Sequence, residues 1–421
     1  MVRSRSVSVL VVAALAFASA SVATGTGEGD GANSFSDELR QDLAAIAEIK
    51  GITFQEAARR HDLREQAAPV IAAVVADSSR FADVFQDDSD GTWKLRILFV
   101  GDEQESRAQL ASALPAGLPV QWEKVQHSAE ALGRVRSEVI QLWHEIGLDR
   151  ISEVSVDAES NRVVVGLPAR DPDLSKILEA RYGDAVGTKL VPPDEPAACN
   201  AVNDLEGGSR YNCTPLRGGI RLEFPGGPCS TMMWGKNKTT PTTKYMITAG
   251  HCADLNNIDF FHNGALVGRS NRISWTLANP RSDSRRIPTA GNATQMNRVY
   301  ETPNAKSYAI TSVKGWGAQQ LNDWVCKLGV GPAFFGRSCG QIINADTTIM
   351  MFDKVTPAKR ADFNGANAGT GIDGGDSGGS VVYSGSIFGI VSTLGGKYSV
   401  GRDVEHDMNL WLCLNIDCSL P

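Results

Sequence analysis

What most narrows the folds open to this chain is the placement of its cysteines. There are eight in 421 residues, all at or after Cys199 and none before it. An even number confined to one half reads as disulfides formed in an oxidising compartment, while the other half must fold on apolar burial alone. Charge divides at the same place. From Cys199 onward 21 basic residues face 17 acidic ones, a net of +4; the whole chain has 41 and 48, which leaves 20 and 31, a net of −11, before it. Oppositely charged halves attract one another. The overall net of −7 argues against a nucleic-acid binder, whose signature is a basic surplus.

Arg3 and Arg5 precede a nearly unbroken apolar run over 7–18, and small residues follow through Ala18-Ser19-Ala20. That order reads as a secretory signal peptide over 1–20, cleaved after Ala20, with 21–34 a flexible lead-in. The apolar run is shorter than the roughly 20 residues that span a bilayer, so the expectation is a secreted, extracellular protein. Residues 35–190 read as a mixed α/β domain. Helical spacing occurs over 37–48, 54–61, 67–85, 128–145 and 174–181, and strand patterns over 94–100, 151–156 and 162–167. His61, His127 and His144 are scattered, without metal-ligand spacing. Residues 191–198 are proline-rich and predict a stiff, exposed linker open to proteolysis. A cysteine-free domain between a signal peptide and a disulfide-bonded domain suggests a propeptide; a permanent accessory domain is the alternative.

Two motifs in the second half carry chemistry. Ile247-Thr-Ala-Gly-His251-Cys252 is a strand running into a tight turn that presents a histidine beside a cysteine. Gly374-Gly375-Asp376-Ser377-Gly378-Gly379 sets a serine among glycines, with strand-like Val381-Val-Tyr383 after it. A serine hydroxyl is a poor nucleophile until an imidazole takes its proton, so His251 and Ser377 must converge in space. The glycines allow an unusual turn and let the amides of Gly375 and Ser377 point at one spot, where an oxyanion would form.

In this order, histidine before serine, the motifs resemble those of the chymotrypsin-like serine peptidases, in particular the secreted bacterial streptogrisins and α-lytic protease. Arg217-Gly-Gly-Ile-Arg-Leu222, Cys326-Lys-Leu-Gly with Cys339-Gly340, and Phe388-Gly-Ile-Val-Ser392 add to the likeness, which covers about 214–411. The resemblance implies an all-β catalytic domain over 199–421, built as two antiparallel six-stranded β-barrels, with His251 on the first and Ser377 on the second. Strand-like stretches at 244–248, 260–267, 308–313, 341–349 and 386–392 agree. It further implies a serine endopeptidase made as a preproenzyme and acting through an acyl-enzyme. Asp376 would organise the oxyanion loop by ion pairing rather than join the triad. The disulfides implied are Cys229–Cys252 and Cys326–Cys339; proximity adds Cys199–Cys213 and Cys413–Cys418. Gly371, Ser392, Thr393 and Leu394 would line the substrate pocket. Gly371 stands where basic-specific relatives carry aspartate, and Leu394 would narrow the entrance, favouring small or medium apolar side chains.

The third triad member is less plain. In the family an aspartate precedes a Tyr-Ala-Ile-type strand, and the matching stretch, Asn304-Ala-Lys-Ser307-Tyr308-Ala309-Ile310, holds Ser307 at that position. Three readings follow: Ser307 serves as an uncharged stand-in; Asp283, Asp259 or Glu301 reaches the histidine from a loop; or the site is degenerate and the domain is a binding or inhibitory module. Expected partners are polypeptide substrates and the chain's own propeptide domain. No nucleic acid, no membrane after signal removal, no metal and no cofactor are expected, in a monomer.

Overall fold

Most helices of the first half begin where short polar side chains take up backbone N–H groups that a helix start leaves unpaired. Ser36 accepts from Leu39, Thr53 from Glu56, Asp102 from Glu105 and Asp171 from Leu174; each such cap is worth about 1 kcal/mol. The computed structural model describes residues 35–146, 150–191, 216–289, 296–300, 307–331, 336–351, 354–363, 371–372, 374–415 and 418. The expected signal peptide, the linker past Val191, the Cys199–Cys213 pair, Glu301 and Asp373 lie outside the described residues, as do the side chains of His144 and Ser307.

The first half runs α1 (Asp37–Lys50), α2 (Phe54–Gln66), α3 (Ala68–Ala76), β1 (Phe81–Asp87), β2 (Lys94–Phe99), α4 (Glu103–Leu110), β3 (Val120–Lys124), α5 (Ala129–Ile146), β4 (Glu153–Asp157), β5 (Arg162–Leu167), α6 (Pro172–Tyr182) and β6 (Val186–Leu190). It uses one motif twice. An antiparallel pair is followed by a helix and a third strand parallel to the second, as β1-β2-α4-β3 and again as β4-β5-α6-β6. Alternating apolar residues bury one face of each sheet: Val84, Leu95 and Ile97 under Val70 and Val74 of α3, and Val154, Val163 and Val165 under Val139 and Trp143 of α5. The helix expected over 67–85 stops at Ala76. The Asp77 carboxylate accepts from Ser79 Oγ (2.7 Å) and the Arg80 N–H (3.2 Å), a local turn that competes with another helical turn and launches β1.

The second half begins with β7 (Arg221–Phe224), β8 (Gly227–Ser230), β9 (Trp234–Asn237), β10 (Lys244–Thr248), β11 (Asp259–His262), β12 (Ala265–Arg269), β13 (Arg272–Ile273) and β14 (Arg285–Pro288). The single strand expected over 260–267 is instead the hairpin β11–β12, because Asn263 and Gly264, at φ 47° and 71°, form its two-residue turn. These strands make two sheets over a shared core of Leu222, Trp234, Met246, Phe260 and Ile287. Next come β15 (Arg298–Tyr300), β16 (Ser307–Ala309), β17 (Ser312–Val313), β18 (Trp324–Gly329), β19 (Gly336–Met351), β20 (Lys354–Asp362), β21 (Ser380–Tyr383), β22 (Ser386–Val391) and β23 (Lys397–Val400). Six of them close an antiparallel ring, β18-β19-β20-β23-β22-β21 and back to β18. Of the two six-stranded barrels expected, the second is this closed ring; the first is instead a five-stranded and a four-stranded sheet facing each other, with no strand pairing between them among the described residues. Then α7 (Gly401–Met408) leads to β24 (Leu410–Leu412), which returns to pair with β9. Disulfides join Cys229 to Cys252, Cys326 to Cys339 and Cys413 to Cys418.

Both halves belong to one compact unit, Ser36–Pro421. Where they meet, α1 plants the fully buried Asp42 in the second barrel. There it pairs with Arg337 and accepts from the Tyr308 hydroxyl (2.7 Å) and the Ser384 N–H (2.6 Å). Arg64 of α2 grips Asp323 (2.6 Å), Glu153 of β4 meets Lys397 of β23 (3.0 Å), and the Val154 N–H donates to Thr348 Oγ1 of β19 (3.2 Å). Breaking one side of a buried pair strands the other charge at a cost of about 3–5 kcal/mol, so these pairs fix how the halves seat. Cavities at the contact include one of about 720 Å³ beside His61 and Tyr383 and one of about 570 Å³ beside Asp83 and Lys359. Among the described residues no helix is long and apolar enough to cross a membrane.

Candidate active site

Strand pairing brings the site together. β10 and β14 are antiparallel with Thr248 opposite Arg285. The chain leaves β10 through a short turn, Gly250–Cys252, which the Cys229–Cys252 disulfide ties to β8. It enters β14 from the other direction. The residue three past Thr248, His251, therefore comes beside the residue two before Arg285, Asp283. The His251 N–H donates to Asp283 Oδ1 (3.0 Å), and the ring Nδ1 lies 2.5 Å from Oδ2. A carboxylate only accepts, so Nδ1 carries the proton and Nε2 is left with its lone pair. That lone pair faces Ser377 Oγ at 2.7 Å, reaching across from the second barrel. Asp283 and Ser377 are fully buried and the His251 side chain is 4% exposed, so little water screens the three groups.

The loop carrying Asp283 is held from behind. The Asp283 N–H donates to Ser399 Oγ of β23 (2.8 Å), and Asp407 of α7 accepts the N–H groups of Arg281 (2.7 Å) and Ser282 (2.8 Å). The serine loop is held across the seam between the barrels. Ser230 Oγ donates to the Gly375 carbonyl (2.7 Å), and its N–H donates to the Ser377 carbonyl (2.7 Å). Gly378 sits at φ 85°, where a Cβ would lie 2.3 Å from the Ser230 oxygen and 2.4 Å from Thr248 Oγ1. Only glycine fits there. Gly375, at φ 97°, turns the chain two residues before Ser377. Asp376 points away from His251, in a fully buried ion pair with Lys327 of β18, and accepts the Gly331 N–H (2.8 Å).

Ser307, the expected triad position, has a side chain outside the described residues. Its segment forms β16, which pairs with β15 and not with β10, and the neighbouring Tyr308 spends its hydroxyl on Asp42. Asp259 is engaged at both oxygens by Arg269 (2.7 Å each) on the β11–β12 hairpin. Of the three acids weighed from the sequence, Asp283 is the one on the imidazole. The residues expected to line a substrate pocket have these surroundings. Gly371 is at φ 64° against the Phe363 backbone, where a Cβ would come within 2.7 Å. The Ser392 and Thr393 N–H groups both donate to the Lys397 carbonyl (3.0 and 3.2 Å), and Leu394 packs on the apolar cluster of Phe363, Ile372 and Tyr398. Sequence reasoning missed Ser230, Lys327 and Asp407, which carry no local signal because each acts on a loop over 40 residues away. Asp42 with Cys326 and Cys339 is the one cluster of metal-ligand type among the described residues, and its two sulfurs are bonded to each other.

No model of a known family matches the chain, and no curated protein does. Solved structures similar to it include a glutamic-acid-specific serine protease described as using a histidine triad in substrate binding, at 19% identity and TM-score 0.37 over 46% of this chain and 98% of that one. A Nocardiopsis protease (20%, TM-score 0.36) and Thermobifida fusca protease A (18%, TM-score 0.34) each align over 47% of this chain and 97% of their own.

Proposed function

We propose that the chain is a secreted chymotrypsin-like serine endopeptidase, made as a preproenzyme. The observation that carries this reading is the relay Asp283 Oδ2, His251 Nδ1, His251 Nε2 and Ser377 Oγ, at 2.5 and 2.7 Å. His251 Nε2 takes the Ser377 proton as Oγ attacks the substrate carbonyl, and Asp283 stabilises the imidazolium that forms. The amides of Gly375 and Ser377 receive the oxyanion, on a loop that the Asp376–Lys327 pair keeps in shape. The imidazolium then gives its proton to the departing amine, and water releases the acyl group by the same steps in reverse. Asp283 on the imidazole supports this reading over an impaired binding module, because an orienting acid is present. Leu394 beside Ile372 and Phe363 supports an apolar preference at the cleaved residue.

The first half is a propeptide in this reading, which the buried pairs joining it to the catalytic half and its proline-rich exit support. Three disulfides among the described residues support folding in an oxidising, extracellular compartment. A fluorophosphonate probe is expected to label Ser377, and Ser377→Ala to abolish labelling. Folded protein that takes up no probe would return the site to the binding-module reading.

A further inference from the structure

Arg285 opens β14 two residues past Asp283, so the two side chains leave the backbone on the same side and meet the same turn. Arg285 is fully buried, yet each of its five N–H groups has an acceptor. Nε and one Nη2 hydrogen reach the Gly250 carbonyl (3.4 and 3.2 Å), and the other Nη2 hydrogen reaches that of Ala253. Nη1 donates to the Leu255 carbonyl (2.7 Å) and to Ser270 Oγ (2.8 Å). Three of these acceptors are carbonyls bracketing His251 and Cys252, and none is a carboxylate. Burial draws the guanidinium down to about 10, against the opposing pull of Asp283 and Asp254, so it is still a cation at neutral pH.

A buried cation bound only to neutral oxygens is costly to keep, and an apolar side chain would fill the space without that cost. We propose that Arg285 is a positioning residue for His251, gripping the carbonyl side of its turn while Asp283 grips the N–H side. The inference rests on the peptidase reading. The Cys229–Cys252 disulfide fixes one point of the turn; the guanidinium fixes the peptide planes that follow, at Ala253 and Leu255. Its charge also opposes the imidazolium, moderating the pull of Asp283. The other charged groups around the turn are Asp254 within it, Arg272 of β13, Arg286 of β14, and the Asp259–Arg269 pair of β11 and β12.

The test compares the full chain with its Arg285→Gln, Arg285→Lys and Ser270→Ala variants. Two readouts are used: the fluorophosphonate labelling rate of Ser377 against pH, and the downfield proton resonance of His251 Nδ1–H. Arg285→Gln is expected to slow labelling about 10–100-fold, to move its acid limb to higher pH because a cation has gone, and to broaden the resonance. Arg285→Lys keeps the charge but lacks the planar fork, so labelling slows while the limb stays in place. Ser270→Ala removes one acceptor and gives a smaller slowing. A side chain that merely fills space would leave limb and resonance unmoved. Folded Arg285→Gln with the parent rate and resonance would overturn the proposal; if that variant does not fold, the other two decide by the same criterion. A parent chain that shows the resonance but takes no label overturns the peptidase reading alone, and the resonance still tests Arg285.

Discussion

At the scale of single residues, Asp283 has two duties that a neutral amide cannot share: it fixes the imidazole tautomer and it answers the charge that develops during attack. Asp283→Asn is therefore expected to lower kcat by about 10⁴ with KM little changed, whereas Ser307→Ala should leave both within about twofold, measured on a peptide ester. Lys327 and Asp376 predict a stability effect instead. Lys327→Met strands a buried carboxylate and should cost about 3–5 kcal/mol in denaturant unfolding. Adding Asp376→Asn should recover part of that loss; a double variant worse than the single would argue against the ion pair as the cause. His251 and Ser377 were legible in the sequence because glycine and cysteine mark the turns that carry them. Asp283 was not. It stands among serines in a plain loop, and only the pairing of β10 with β14, 37 residues apart at Thr248 and Arg285, brings it to the histidine.

At the scale of elements, α2 meets the second barrel through His61, whose Nδ1 lies 3.2 Å from the Tyr383 hydroxyl and whose ring packs edge-on against Tyr383. Burial holds this imidazole below its ordinary 6.5, with Arg64 and Lys314 adding to the effect and Glu65 and Asp62 opposing it. His61 thus stays neutral when docked, while the undocked side chain takes a proton as pH falls through about 6.5. Its contribution is complete above that pH and declines below it. The thermal midpoint of the full chain should drop between about pH 7.5 and 5.5, and His61→Phe should flatten the drop. An unchanged slope in that variant would assign the decline elsewhere. A second decline is expected as pH falls from about 4.5 to about 2, because Lys397 and Lys189 outweigh burial and hold Glu153 at about 2, so the unfolded chain takes up this proton first. Helices were legible from their apolar spacing, except the short polar α4 behind its Asp102 cap. Strand breaks were less so: Asn263-Gly264 is a strong hairpin signal hidden inside an apolar run, and the Asp77 turn ended a helix whose spacing continued past it.

At the scale of the whole molecule, the acidic and basic surpluses of the two halves predicted attraction, but the contact is fixed by individual buried pairs of both polarities. Arg64 on Asp323 runs against the net charges, while Asp42 on Arg337 and Glu153 on Lys397 run with them. Salt should therefore weaken docking only modestly, since buried pairs are poorly screened. Expressed as separate chains over 24–197 and 198–421, the second half is expected to refold slowly alone and faster when the first half is added. Equal rates and yields, followed by probe labelling, would mean that the first half gives no folding help.

The return of β24 to β9 has a temporal meaning. During synthesis the strands of the first barrel emerge well before those of the second, yet their five-stranded sheet stays one strand short until Leu410–Leu412 have emerged and α7 has swung them back. The barrel written first is thus finished last. Until then β9 offers a raw edge, open to pairing with a neighbouring chain, through the whole interval in which the second barrel is still arriving.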